Sequence, residues 1–279
     1  MFPTCSRSDP AAEEAETELK ASALLDAIRR PDPVGAQVAA RKEELPSPGV
    51  GIEPGTPQKL VLLVDHEDSF VHTLANYLRQ SGARVLTLRS GKPFTDFLHS
   101  QVDSGLLHPD LVVLSPGPGS PDDFHLKETI KNVLDRRLPI FGVCLGLQAL
   151  VEYYGGRLQV LARPMHGKPS LISRQIVHGK DGQEELDKMD GDILTGLPAQ
   201  FEVARYHSLY GERDTLPAQL KVTATDPDGV IMALQHISLP IAAVQFHPES
   251  ILTLPKHGMQ IINNALTMLS SERFPEKET

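Results

Sequence analysis

The chain has 279 residues, 40% of them hydrophobic, and a formal net charge of -9, so it can bury a substantial core. An acidic balance with no basic stripe argues against nucleic acid as the main partner, and no stretch approaches the ~18 unbroken apolar residues of a membrane-crossing helix. The first thirty residues are rich in Glu and Ala and lack an apolar centre, which disfavours a secretory or transit leader and makes the cytoplasm the expected compartment. Cys5 and Cys144 are far apart and in different kinds of segment, so no disulfide framework is expected and a free thiol suits a reducing compartment.

In chain order, residues 11–30 read as one helix with Leu19, Leu24, Leu25 and Ile28 on an apolar stripe. Residues 31–58 contain six prolines and four glycines with almost no periodicity, the composition of a linker. The expected organisation is therefore a helical tail over 1–30, a linker over 31–58 and one larger domain over 59–279. In that domain short apolar runs alternate with helical patterns: LVLLVD at 60–65, a helix over 69–80, RVLTL at 84–88, LVVLSP at 111–116, a helix near 122–136, then PIFGV and a helix after Cys144. This order predicts an α/β fold with a doubly wound, mostly parallel central sheet. FEVARYH, LKVTAT, VIMALQH and IAAVQF predict added antiparallel strands before a final helix at about 256–270. Residues 178–191 are charged and aperiodic, and read as an exposed insertion.

In PIFGVCLGLQALVEYY the cysteine sits between two glycines where a strand pattern meets a helix pattern. Such an elbow projects a side chain from the sheet, Gly142 and Gly146 relieve crowding around it, and unpaired N–H groups at the amino end of the helix favour a thiolate. The ordinary alternative is a core cysteine in a glycine-containing turn. Ligands of such sheets sit beyond the carboxyl ends of the parallel strands, where a second turn, SPGPGSP at 115–121, also falls. Its glycines let backbone N–H groups approach a ligand, although a plain proline-glycine turn would read the same way. No Gly-Lys-Ser or Gly-Lys-Thr follows either turn, so nucleotide binding has no support. A nucleophilic thiol needs a base and an orienting acceptor; QFHPES at 245–250 offers His247 and Glu249 just past a strand, with Pro248 stiffening the link. The remaining histidines lack metal-ligand spacing, so no metal site is predicted.

SPGPGSP at 115–121, GVCLGLQ at 142–148, YHSL at 206–209 and FHPES at 246–250, four motifs in the family's order, resemble the class I glutamine amidotransferases over residues 59–272. The resemblance implies a flavodoxin-like core and a glutaminase that works through a cysteine thioester. It matches Cys144, His247 and Glu249 to a catalytic triad, and Gly117, Pro118, Gly119, Gln148, Ser208 and Leu209 to positions that hold L-glutamine. Leu145 matches an oxyanion donor. RPMHGKPS at 163–170 is similar to the segment that marks amidotransferases serving chorismate-using synthases. DHEDSFVHTLANYL from Asp65, together with the amino-terminal helix, resembles bacterial anthranilate synthases that fuse synthase and amidotransferase in one polypeptide.

The resemblance thus implies ammonia delivery to a chorismate-using synthase subunit or domain, for anthranilate formation in tryptophan biosynthesis. The folate-pathway glutaminase of aminodeoxychorismate synthase is the alternative within the family. A glutamine-binding scaffold without turnover, and a cysteine peptidase on a related sheet, are alternatives of other classes. No cofactor is expected in this chain, with magnesium and chorismate belonging to the synthase.

Overall fold

The first strand shows why the sheet is central. In β1 (Leu60–Asp65) Val61 and Leu63 join one buried cluster while Leu62 and Val64 join another, so both faces are covered. A continuous apolar run is what a strand between two helical layers requires. Such side chains each contribute about 1.5–3 kcal/mol when fully buried. The structure, a computed structural model, describes residues 58–178, 184–186, 192–253, 255–269, 272 and 274–275. The expected amino-terminal helix, the linker up to residue 57 and Cys5 lie outside the described residues.

One helical layer contains α1 (Val71–Gln80), whose Val71, Leu74, Ala75 and Leu78 recur at helical spacing, and α5 (Pro255–Met268). The opposite layer contains α2 (Lys92–Phe97), α3 (Leu126–Asp135) and α4 (Leu145–Tyr153). Between them, β2 (Arg84–Arg89), β1, β3 (Leu111–Leu114), β4 (Ile140–Val143) and β11 (Ile241–Val244) run parallel in that order. The sheet continues antiparallel through β10 (Ile231–His236), β9 (Leu220–Thr225), β5 (Leu158–Arg174) and β8 (Gln200–Gly211), making nine strands among the described residues.

Two strands lie beyond the sequence reading. The segment containing RPMHGKPS lies within β5, a 17-residue strand. Over most of its length β5 pairs only with β8, meeting β9 at Ser173 and Arg174, and its exposed and half-buried residues carry no alternating pattern for a sequence to display. The pairing shifts register between His166 and Lys168, where Gly167 takes a φ of +60°. The stretch read as an aperiodic insertion also holds a strand, β7 (Glu184–Leu186), which pairs with β6 (Ile176–His178).

β4 and β11 place the two ends of the site side by side. Val143 is in register with Val244, and the Cys144 N–H donates to the Val244 carbonyl at 2.8 Å. The approach of α4 to β3 depends on glycine, because a Cβ on Gly146 would lie 2.8 Å from the Leu114 carbonyl oxygen and 2.9 Å from Leu114 Cβ. Gly146→Ala is expected to cost about 1–3 kcal/mol through overpacking, read as a lower urea midpoint at unchanged slope. An unaltered midpoint would mean that β3 can yield to the methyl group.

Candidate active site

Cys144 has φ +52° and ψ -97° and immediately precedes α4. A non-glycine residue rarely adopts this backbone, and the surrounding packing has to hold it there. Part of that packing is Gly142, where an added Cβ would meet the Gly146 backbone at 2.8 Å and Ala243 Cβ at 3.1 Å. The elbow lifts the thiol off the sheet, as its pattern predicts. It does not leave it open: Cys144 is only 5% exposed, with Gln245 Nε2 3.5 Å from the sulfur.

The chain after β11 turns back so that His247 and Glu249 come to the same rim, both buried. His247 Nδ1 and Glu249 Oε1 are 2.9 Å apart. The acceptor carboxylate assigns the proton to Nδ1 and leaves Nε2 directed away from it. Nε2 has no hydrogen bond of regular geometry, yet the Cys144 thiol is close enough to act on the ring. Burial works against charge on this imidazole. The Glu249 carboxylate and the thiol outweigh it and hold His247 well above its ordinary value. Phe70 and Tyr206 pack on the ring, each with its centroid 5.0 Å away.

A backbone clamp sets the position of this histidine. The His247 N–H donates to the Ala204 carbonyl of β8 at 3.0 Å, and the Ala204 N–H donates to Thr253 Oγ1 at 3.0 Å. Thr253 Oγ1 in turn donates to the His247 carbonyl at 2.7 Å. From below, α5 approaches so closely at Gly258 that any Cβ there would overlap the Pro248 carbonyl. Neither Thr253 nor Gly258 was singled out in the sequence. Both act through backbone groups, which leave no mark in residue chemistry.

The SPGPGSP turn lies against the elbow. A Cβ on Gly117 would overlap Leu145 Cδ2 and come within 2.8 Å of His66 Cβ, so the loop backbone touches the first residue of α4. Gly119 has φ +68°, and Ser120 and Asp123 close the turn as a capping box, with the Ser120 N–H donating to Asp123 Oδ2 at 2.8 Å. His66 is buried beneath the loop, its Nδ1 3.1 Å from the Ser115 carbonyl, and desolvation lowers it to about 4. Pro118 lies between the two loop glycines.

Gln148 is buried one turn into α4 and donates to the Leu209 carbonyl at 2.9 Å, while Ser208 and Leu209 are half-buried in β8. The structure therefore gathers Cys144, His247, Glu249, Leu145, the Gly117–Gly119 loop, Gln148 and Leu209 around the carboxyl ends of β3, β4 and β11 and the adjoining part of β8. Gln245 is the contact that sequence reasoning missed. It lies just past the end of β11, two residues before His247, and no pattern in the sequence marks its amide as a neighbour of the sulfur.

An imidazole backed by a carboxylate and set beside a thiol on a strained elbow can support nucleophilic attack on an amide carbon. The class I glutamine amidotransferase model matches residues 62–269, and the chain belongs to that family. It is 47% identical to an anthranilate synthase of Azospirillum brasilense over 267 residues, which is 95% of this chain and 32% of that protein. The chain thus spans about a third of that relative's length. It is 39% identical to anthranilate synthase component 2 of the same organism, covering 74% of this chain and 95% of the relative. The fold is also that of a structure described as a putative GMP synthase subunit from Thermoplasma acidophilum, with a TM-score of 0.62 and 24% identity over 78% of this chain and 96% of the other. Among the described residues no helix is long and apolar enough to cross a membrane.

Two outcomes are expected from this geometry. Thr253→Val, which keeps the shape but leaves the Ala204 N–H without its partner and removes one of the two donors to the His247 carbonyl, should lower unfolding free energy by about 1–3 kcal/mol, with Thr253→Ser retaining most of it. Equal stability of the Val variant and wild type would rule out the clamp. Because the folded state raises the His247 value, its protonation stabilises the native chain fully below the unfolded value of about 6.5 and loses that effect as pH rises through the raised value. Stability measured against His247→Gln across that window should fall for the wild type as pH increases.

Proposed function

We propose that the chain hydrolyses L-glutamine through a Cys144 thioester and delivers the ammonia to a chorismate-using synthase for anthranilate formation in tryptophan biosynthesis. The observation that carries this reading is the 2.9 Å His247–Glu249 contact, with its imidazole beside the Cys144 thiol in a member of this family. The names of the relatives support the choice of synthase.

In the proposed reaction the Cys144 sulfur attacks the side-chain amide carbon of glutamine and the carbonyl oxygen takes the negative charge. Backbone N–H groups at Leu145 and in the Gly117–Gly119 loop stabilise that oxygen, and loss of one such donor costs about 10²–10³ in rate. His247 protonates the amide nitrogen as the C–N bond breaks, and Glu249 orients the ring and balances its charge. Water then attacks the thioester carbon and gives its proton to His247, releasing glutamate and restoring the thiolate. Pro118 stiffens the loop over the substrate, while Gln148, Ser208 and Leu209 hold glutamine in place. Ammonia released into bulk water would be protonated and lost as a nucleophile, so transfer to the synthase active site completes the function. Magnesium and chorismate belong to that partner, and the cytoplasm is the compartment in which the free thiol operates.

With the synthase present, Cys144→Ser is expected to abolish glutamine-driven amination and to leave ammonium-driven amination intact. Glutamine-driven product from the Ser variant at wild-type rate would overturn the proposal. Aminodeoxychorismate in place of anthranilate would reassign the partner.

A further inference from the structure

Gln245 is fully buried at the end of β11 and lies 3.5 Å from the Cys144 sulfur through Nε2. An amide can turn either its oxygen or its NH₂ toward a neighbour, and here the orientation follows from a chain of directed hydrogen bonds. The chain starts at a buried ion pair, Arg205 with Asp226 at 2.5 Å. Arg205 Nε donates to His207 Nε2 at 3.1 Å, so that ring nitrogen accepts and the proton sits on Nδ1. Nδ1 donates to the Leu209 carbonyl at 2.8 Å. Burial and the neighbouring guanidinium lower His207 to about 3, which keeps it neutral in this tautomer at physiological pH.

The Leu209 carbonyl also receives Gln148 at 2.9 Å, and because a carbonyl only accepts, Gln148 must present its NH₂. That NH₂ lies 3.5 Å from Gln245 Oε1. With its oxygen facing Gln148, Gln245 has its own NH₂ facing sulfur. We infer that Gln245 is a catalytic residue that donates a hydrogen bond to the Cys144 sulfur, held in the donating orientation by the series Asp226, Arg205, His207, Leu209 and Gln148. His207 is a positioning residue in this scheme.

The inference deepens the glutaminase reading and rests on it for its catalytic meaning. A donor to sulfur favours the anion over the thiol, both before attack and when the thioester breaks, and a thiolate is the stronger acceptor. The other charged or titratable groups around the sulfur act separately. His247 and Glu249 approach from the end of β11, with Tyr77 of α1 close enough to feel the Glu249 charge. His66 lies across Gly117, Arg205, Asp226 and His207 connect to the sulfur through the amides, and His207 also feels the charges of His247 and His166.

The test is alkylation by iodoacetamide of the full chain in a Cys5→Ser background, where Cys144 is the one thiol. At about pH 7, Gln245→Met is expected to slow alkylation roughly five- to tenfold, the worth of one hydrogen bond. The deficit should largely disappear near pH 10, where thiols ionise without help. Gln245→Glu, nearly isosteric, replaces the donor by an acceptor and should react more slowly still. His207→Leu should slow the reaction in the same direction by a smaller factor. His207→Asn, whose amide nitrogen can replace Nδ1 as donor to Leu209, should stay near the parent rate. Parent-like rates for both Gln245 variants at neutral pH, or an equal deficit at both pH values, would overturn the inference. Alkylation reads the thiol whether or not glutamine is turned over, so failure of the wild type to hydrolyse glutamine would count against the functional proposal alone.

Discussion

Everything at the rim of this sheet depends on the backbone of Cys144, held at φ +52° between β4 and α4. An L-residue with a side chain does not stay there unaided. Contacts that tolerate no Cβ at Gly142 and Gly146 hold α4 against β3 and β4, and the bond from the Cys144 N–H to Val244 ties the elbow to β11. The same contacts that strain the cysteine therefore fix its distance from the strand that carries His247.

A second constraint is the burial of charge. His247 and Glu249 are removed from water, and two such groups persist there because each is the other's partner. The Arg205–Asp226 pair repeats this logic a few residues away. Its guanidinium sets the tautomer of His207, which shares the Leu209 carbonyl with the amide of Gln148. Around one sulfur the molecule thus combines a charged pair on one side with oriented neutral dipoles on the other.

The parallel half of the fold was legible because its central strands are buried on both faces and α1 and α3 on one. LVLLVD, LVVL and IFGV are continuous apolar runs, and α1 and α3 carry clean helical spacing. β5 was not legible, since its exposed and half-buried residues follow no regular alternation and its Pro and Gly residues imitate a turn. At the site, Cys144 announced itself through flanking glycines and His247 with Glu249 through their spacing around Pro248. Thr253, Gly258 and Gln245 carried no comparable signal. Two of them serve backbone groups, and the third is an amide whose meaning depends on which neighbour takes its oxygen.

By itself the sequence pointed to the kind of chemistry proposed and to the order of the elements that carry it, because a candidate nucleophile, a candidate base and glycine turns are properties of short segments. Tertiary structure alone decided that β4 and β11 are neighbours, that residues 103 positions apart, Cys144 and His247, share one rim, and that a buried relay orients the amide beside the sulfur. Strand adjacency and amide direction arise from contacts between distant parts of the chain, and no local pattern encodes them.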